Sequence, residues 1–168
     1  MHEPQLDLGT EPAPADHAAD HQAAHLAKAD RRPPDTLWRA NPREQGLLGL
    51  TDAIAFFGAQ GWSVSLPLID SQPYDLIVDD GARLQRVQVK TTTRRSRNGR
   101  FVVQVCTRGG NRSFHTSKDF DASGCELLYV LTDDRERYLI PTSEVRARTA
   151  LTLGARMAPF LLPRAQFS

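Results

Sequence analysis

Tyr74-Asp75-Leu76-Ile77-Val78-Asp79-Asp80-Gly81-Ala82-Arg83-Leu84-Gln85-Arg86-Val87-Gln88-Val89-Lys90-Thr91 is the stretch whose reading decides the fold. Leu76 to Val78 is a short β-branched and apolar run. Asp80-Gly81 follows it, and an Asp-Gly pair between two apolar runs is a strong hairpin signal. From Arg86 onward apolar and polar residues alternate strictly, as a half-buried strand requires. Period 2 puts Val87 and Val89 on one face, and Arg86, Gln88 and Lys90 on the other. Leu84 falls on the opposite face from Val87 and Val89, so the pattern slips near the strand's start. A hairpin of this length brings Asp75, at the head of its first strand, beside Gln88 and Lys90.

Upstream, residues 41–60 read as a helix. Asn41 is a candidate N-cap and Pro42 suits the first helical position. Leu47, Leu50, Ile54 and Phe57 recur at spacings of 3, 4 and 3 and form one apolar stripe. Gly61 stands where the helix should stop. Trp62 to Leu68 reads as a strand. Downstream, Phe101 to Cys106 is another, with a polar loop around Asn98-Gly99 before it. Leu127 to Thr132 and Arg137 to Ile140 form a second hairpin about Asp133-Asp134. Ser143 to Arg148 reads as a short helical turn, and Phe160 to Leu162 as a segment packed on the core. The expected class is α+β (mixed α/β), with an N-terminal helix against a mixed, mostly antiparallel sheet.

Residues 1–36 differ from the rest. They hold Ala, Pro, Asp and His with few large apolar side chains, too little to offset the entropy of ordering. They read as a disordered acidic arm, with residues 37–168 as one folded domain. His17, His21 and His25 recur at a spacing of four within the arm, and an Ala/His-rich solvated segment accounts for them. The 168 residues are 40% hydrophobic and 24% charged, as in soluble globular domains. No apolar run has the length of a membrane span. Cys106 and Cys125 lack metal or redox spacing and read as reduced, buried small side chains. The expected location is the cytoplasm.

The net charge of +1 hides a strong asymmetry. Residues 1–40 carry seven acids and four bases, a net of −3. The other 128 carry 17 bases and 13 acids, a net of +4. Within them, Gly81 to Lys118 holds ten bases and no acid in 38 residues. Arg94, Arg95, Arg97, Arg100, Arg108, Asn111, Arg112 and Lys118 lie on or beside the two loops that flank the Gln88–Lys90 strand. Basic side chains and Gly-exposed amides suit a phosphate backbone. Nucleic acid is therefore the leading partner, and a solvated charged loop is the bland counterpart.

The grouping of Asp75, Gln88 and Lys90 has a chemical use. A carboxylate with an amide or backbone oxygen can hold a hard divalent ion such as Mg²⁺. Such an ion polarises a phosphate and lowers the pKa of a bound water. A lysine on the same face stabilises charge building on the phosphate. A polar strand face is also common on solvated sheets.

Tyr74 to Asp79 and Arg86 to Thr91 together resemble the PD-(D/E)XK nuclease superfamily, in its group I intron-associated endonuclease branch, where the motif reads D…QxK. The resemblance extends over Gly46 to Gly61, Trp62 to Pro67 and, more loosely, Phe101 to Pro141, about a hundred residues without the arm. It implies a restriction-endonuclease-like core and Mg²⁺- or Mn²⁺-dependent hydrolysis of DNA phosphodiesters. It makes Asp75 the metal carboxylate, Gln88 the second metal-side ligand, Lys90 the catalytic lysine and the Val89 carbonyl a further metal contact. DNA as substrate, rather than RNA, rests on this resemblance alone. The family commonly carries a Glu on the first helix, just after a glycine and eleven residues before the glycine that ends it. Leu50 stands there, after Gly49, and cannot bind metal. Asp52 and Glu44, about 200° and 120° away round the helix, are the nearest acids. The expected function is a DNA endonuclease. The alternatives are a catalytically reduced DNA-binding module on the same scaffold, and an interaction protein whose basic loops hold an acidic partner. Enzymes that cut both strands often pair two sites by symmetry, so a homodimer is a candidate assembly.

Overall fold

The computed structural model describes residues 41–69, 71–108 and 117–163, with the backbone alone at Thr107, Arg108, Ser117 and Lys118. The expected arm lies outside the described residues, as do His17, His21 and His25.

Helix α1 spans Pro42–Ala59. The Asn41 side chain accepts a hydrogen bond from the Arg43 amide at 2.9 Å, and Pro42 opens the first turn. These satisfy or avoid the donors that a helix start leaves orphaned. At the other end Gly61 takes φ +77°. The Trp62 and Gly61 amides then reach back to the Phe57 and Gly58 carbonyls at 3.1 and 3.0 Å, which closes a Schellman cap. The buried stripe is Gly49, Ala53 and Phe57, one step round from the apolar stripe of the sequence. Leu47 is 64% exposed, whereas Leu50 and Ile54 are partly buried beneath the helix. The reason is close approach. A Cβ on Gly49 would overlap the Thr91 Cγ2, so the helix meets the sheet through its small residues.

The main sheet contains β1 (Ser63–Ser65), β2 (Leu76–Asp79), β3 (Leu84–Thr92), β7 (Leu127–Thr132) and β8 (Arg137–Pro141) in the order β1-β2-β3-β7-β8. All neighbours are antiparallel except β3 and β7, which run parallel. Both expected hairpins are present. The β2–β3 turn is held by Asp80, whose carboxylate accepts from the Ala82 and Arg83 amides at 2.9 Å, with Gly81 at φ +84°. Leu84 is 71% exposed, so it keeps the strand's alternation and projects from the sheet without a slip.

The crossover from β3 to β7 carries β4 (Val102–Gln104), β5 (Thr107–Arg108) and β6 (Ser117–Lys118). After β8 come a 3₁₀ turn at Thr142–Glu144, β9 (Ala150–Thr152) paired with β4, and a 3₁₀ segment at Ala155–Phe160. The strand expected over Trp62 to Leu68 is only three residues long, and Leu66 and Leu68 are exposed. The strand expected over Phe101 to Cys106 is trimmed likewise, to Val102–Gln104. The helical turn expected over Ser143 to Arg148 is only three residues long, at Thr142–Glu144. Ala150–Thr152 and Ala155–Phe160 carry no marked pattern in the sequence.

Two apolar layers sandwich the sheet. Beneath α1 lie Phe57, Leu76, Val78, Val87, Tyr129 and Leu131. On the far face, Leu128, Val130 and Ile140 meet Val103, Leu151 and Met157. Strand β7 is buried at every position, as expected of a central strand covered on both faces. Phe160 packs on the far layer and Leu162 on the layer beneath the helix. Among the described residues no helix is long and apolar enough to cross a membrane.

Candidate active site

Asp75 is the residue immediately before β2. Its amide donates to the Val87 carbonyl at 2.9 Å, and its Oδ2 accepts from the Val89 amide at 2.6 Å. The carboxylate is thereby fixed against the middle of β3. The antiparallel register pairs Leu76 with Val87. One step further sets Asp75 opposite Gln88. Leu76 and Val87 point beneath the helix, so Asp75 and Gln88 share the other face. Lys90 belongs to that face too, since β3 and β7 pair Gln88 with Leu128 and Lys90 with Val130, both of the far layer. Gln88 is 7% exposed. Lys90 is half-buried, and among the described residues no acid holds it in an ion pair.

The loop before β7 walls this group. A Cβ on Gly124 would come within 2.8 Å of Pro73, so the loop lies flush on the segment leading to Asp75. Thr142 ties it down, donating through Oγ1 to the Cys125 carbonyl at 2.7 Å. Cys125 is 2% exposed. Burial pushes its thiol up to about 11; the Glu126 and Asp75 charges add to this and the Gln88 amide opposes it. The thiol is therefore protonated at neutral pH. Arg86 shares the face of Gln88 but is taken up by Glu126. The carboxylate accepts from its amide at 2.6 Å and its guanidinium at 2.5 Å, and this pairing holds the Glu126 carboxyl below the usual range. Cys125 and Glu126 were not marked by any pattern in the sequence; only the parallel strand pairing brings them here.

A protein-family model described as PD-(D/E)XK endonuclease matches residues 40–158. The chain belongs to this family. Protein 5.3 of Escherichia phage T7 is 30% identical over 100 residues, 60% of this chain and 80% of that protein. The solved structure of a bacterial homing endonuclease, I-Ssp6803I, superposes with a TM-score of 0.61 at 21% identity, over 77% of this chain and 84% of that one. That similarity establishes the shared fold, a helix on a mixed sheet of the restriction-endonuclease type. Membership of a PD-(D/E)XK endonuclease family supports nuclease function.

Against the family's pattern, the helix acid is absent. Leu50 is packed into the apolar layer beneath α1. Asp52 does not take its place. Its carboxylate accepts from the Tyr129 hydroxyl at 2.6 Å and from Arg137 Nε and a terminal guanidinium nitrogen at 2.8 and 2.5 Å. Glu44 is exposed in the first turn of the helix. Among the described residues no cluster of three His, Cys, Asp or Glu side chains could hold a metal. The donors present are one carboxylate, one amide and backbone carbonyls. These are hard oxygen donors, and Mg²⁺ commonly takes only one or two carboxylates, filling the rest of its shell with water and substrate phosphate. The residues present fit such an ion.

The ten-base block is less free than its sequence indicates. Acids from outside it fold back on three members: Asp80 on Arg83 at 3.7 Å, Glu126 on Arg86 and Asp134 on Arg95, the last two at 2.5 Å. Arg94, Arg97 and Arg100 are exposed and carry no acid partner among the described residues. Arg108 and Lys118 lie in the β5–β6 ribbon, described by backbone alone. Asn111 and Arg112 lie outside the described residues.

Proposed function

We propose that the chain hydrolyses DNA phosphodiester bonds with a divalent cation, Mg²⁺ or Mn²⁺, at Asp75, Gln88 and Lys90. The observation that carries this is the hydrogen bond from the Val89 amide to the Asp75 carboxylate, which ties that acid to the strand bearing Gln88 and Lys90. Asp75, the Gln88 amide oxygen and the Val89 carbonyl would hold the ion. When bound, it supplies charge neutralisation at the phosphate and a water of lowered pKa. The Val89 amide keeps the Asp75 carboxylate oriented. The Lys90 ammonium stabilises negative charge on the phosphate and orients the attacking water by hydrogen bonding. The exposed Arg94 and Arg100 hold the nucleic-acid backbone beside the scissile bond.

The test is incubation of supercoiled and linear DNA with the full chain and Mg²⁺ or Mn²⁺. Nicking or cutting that EDTA abolishes is expected. A complete lack of cleavage across metals and substrates, with DNA binding intact, contradicts it and favours a second reading. That reading, a DNA-binding module with a reduced site, is supported by one observation: an apolar Leu50 where the family commonly has a Glu, with Asp52 engaged by Arg137.

A further inference from the structure

Arg94 to Phe101, within the basic block, build a tight, braced hairpin directly beyond the candidate active strand. Arg94 stands four residues after Lys90. Arg95 and Phe101 form a β-bridge. The Ser96 amide bonds the Arg100 carbonyl at 2.8 Å, the Gly99 amide bonds the Ser96 carbonyl at 3.0 Å, and Gly99 takes φ +74°. This is a three-residue loop of the turn-plus-bulge kind, for which a left-handed Gly is needed. Arg97 and Asn98 occupy its tip, both exposed.

Arg95 braces the loop from inside. Its guanidinium lies 3.8 Å from the centroid of the Phe101 ring, donates to the Gly99 carbonyl at 2.8 Å and pairs with Asp134 on the β7–β8 turn at 2.5 Å. The base of the hairpin is locked as well. The Val102 amide bonds the Arg94 carbonyl at 2.9 Å, and Thr92 Oγ1 bonds the Val102 carbonyl at 2.6 Å.

Three separate restraints on one arginine are more than phosphate binding calls for. A phosphate is met by mobile side chains and confers no sequence information. Reading a base edge requires a donor held in register, and ordering it before binding lowers the cost of doing so. The two tip residues are also the right types. Arginine pairs bidentately with guanine and asparagine with adenine, and a two-stranded ribbon fits the major groove.

We propose that this hairpin reads bases in duplex DNA, with Arg97 and Asn98 as specificity-determining residues and Arg95 as a positioning residue that does not touch the nucleic acid. The assignment rests on the proposed action on DNA but not on catalysis.

The experiment is selection of bound sequences from a random duplex library by the full chain, with Ca²⁺ replacing Mg²⁺. Wild type is expected to enrich a preference over adjacent base pairs. Arg97→Ala and Asn98→Ala should each lose about tenfold discrimination at one base pair, with affinity for random duplex falling only a few-fold. Asp134→Ala should blur the same preference although Arg97 and Asn98 remain. An unchanged preference in the Arg97→Ala/Asn98→Ala double variant overturns the assignment. So does a wild type with no preference, or an Arg97→Ala variant weakened equally on all sequences. A wild type that binds with this preference and never cleaves contradicts the nuclease reading and leaves the hairpin's role standing.

Discussion

The Asp75 carboxylate and the Val89 amide are joined by a 2.6 Å hydrogen bond. Asp75 precedes its strand, where a side chain would otherwise be set by a loop. The bond makes it part of β3, beside Gln88 and Lys90, and the β2–β3 register does the rest.

Gln88, the second proposed ligand, is buried and neutral. Gln88→Glu sets a second carboxylate opposite Asp75. Without metal, two like charges on one buried face should cost about 2 kcal/mol or more. Divalent ions should reverse this. Thermal unfolding in EDTA and in Mg²⁺ checks it: the variant should be less stable than wild type in EDTA and gain more from Mg²⁺. Equal gains in the two proteins would remove Gln88 from the metal side.

The surface cations should make DNA binding strongly dependent on salt. If Lys90, Arg94 and Arg100 each neutralise a phosphate, log K should fall against log salt with a slope of about −2.5 or steeper. Gel-shift or fluorescence titration across salt measures it. A flat response would contradict the whole account of the basic block.

Gly49 sets the distance between α1 and β3. In Gly49→Ala the new methyl meets the Thr91 side chain and lies 3.4 Å from Val89. Overpacking of this kind costs about 1–3 kcal/mol, and here it presses on the strand carrying Lys90. Urea denaturation should show the loss. A variant as stable as wild type would mean that the helix shifts freely on the sheet.

Asp52 joins α1 to β7 and β8 through Tyr129 and Arg137, with its side chain 14% exposed. Burial pushes its carboxyl up, but hydrogen bonds from Arg137 and Tyr129 outweigh this and hold it below the usual aspartate range. A carboxyl whose folded pKa lies below its unfolded value, about 3.9, stabilises the fold fully at neutral pH. That contribution is lost as pH falls through the folded pKa. Asp52→Asn should therefore cost about 3 kcal/mol at pH 7 by leaving Arg137 uncompensated. The gap to wild type should narrow below about pH 4. A gap that stays constant with pH would show that the charge itself is unimportant.

What the sequence disclosed, and what it did not, follows from the range of each interaction. The Asp75–Thr91 hairpin was legible because alternation and an Asp-Gly turn are local signals, and the placing of Asp75, Gln88 and Lys90 on one face came with it. The α1 caps at Asn41 and Gly61 were legible for the same reason. The parallel pairing of β3 with β7 was not, because nothing near Val87 specifies Leu127 as its partner. Cys125 and Glu126 reach the site only through that pairing. The helix stripe was misjudged by one position, since large apolar residues such as Leu47 dominate a sequence pattern while the contact is made by Gly49 and Ala53. The ion pairs of the basic block were not legible, because Asp80, Glu126 and Asp134 lie outside the acid-free run and meet it only through the fold. Residues 150–160 follow the path of β4 and the far apolar layer, with no periodicity of their own.

The most direct test compares wild type, Asp75→Asn and Lys90→Ala for DNA nicking in Mg²⁺ and for DNA binding. Asn retains an oxygen to accept from the Val89 amide, so Asp75→Asn removes the charge and keeps the fold. Loss of cleavage by about a hundredfold or more in both variants, with binding within a few-fold of wild type, is the predicted result. Cleavage at wild-type rate in both variants would contradict the site.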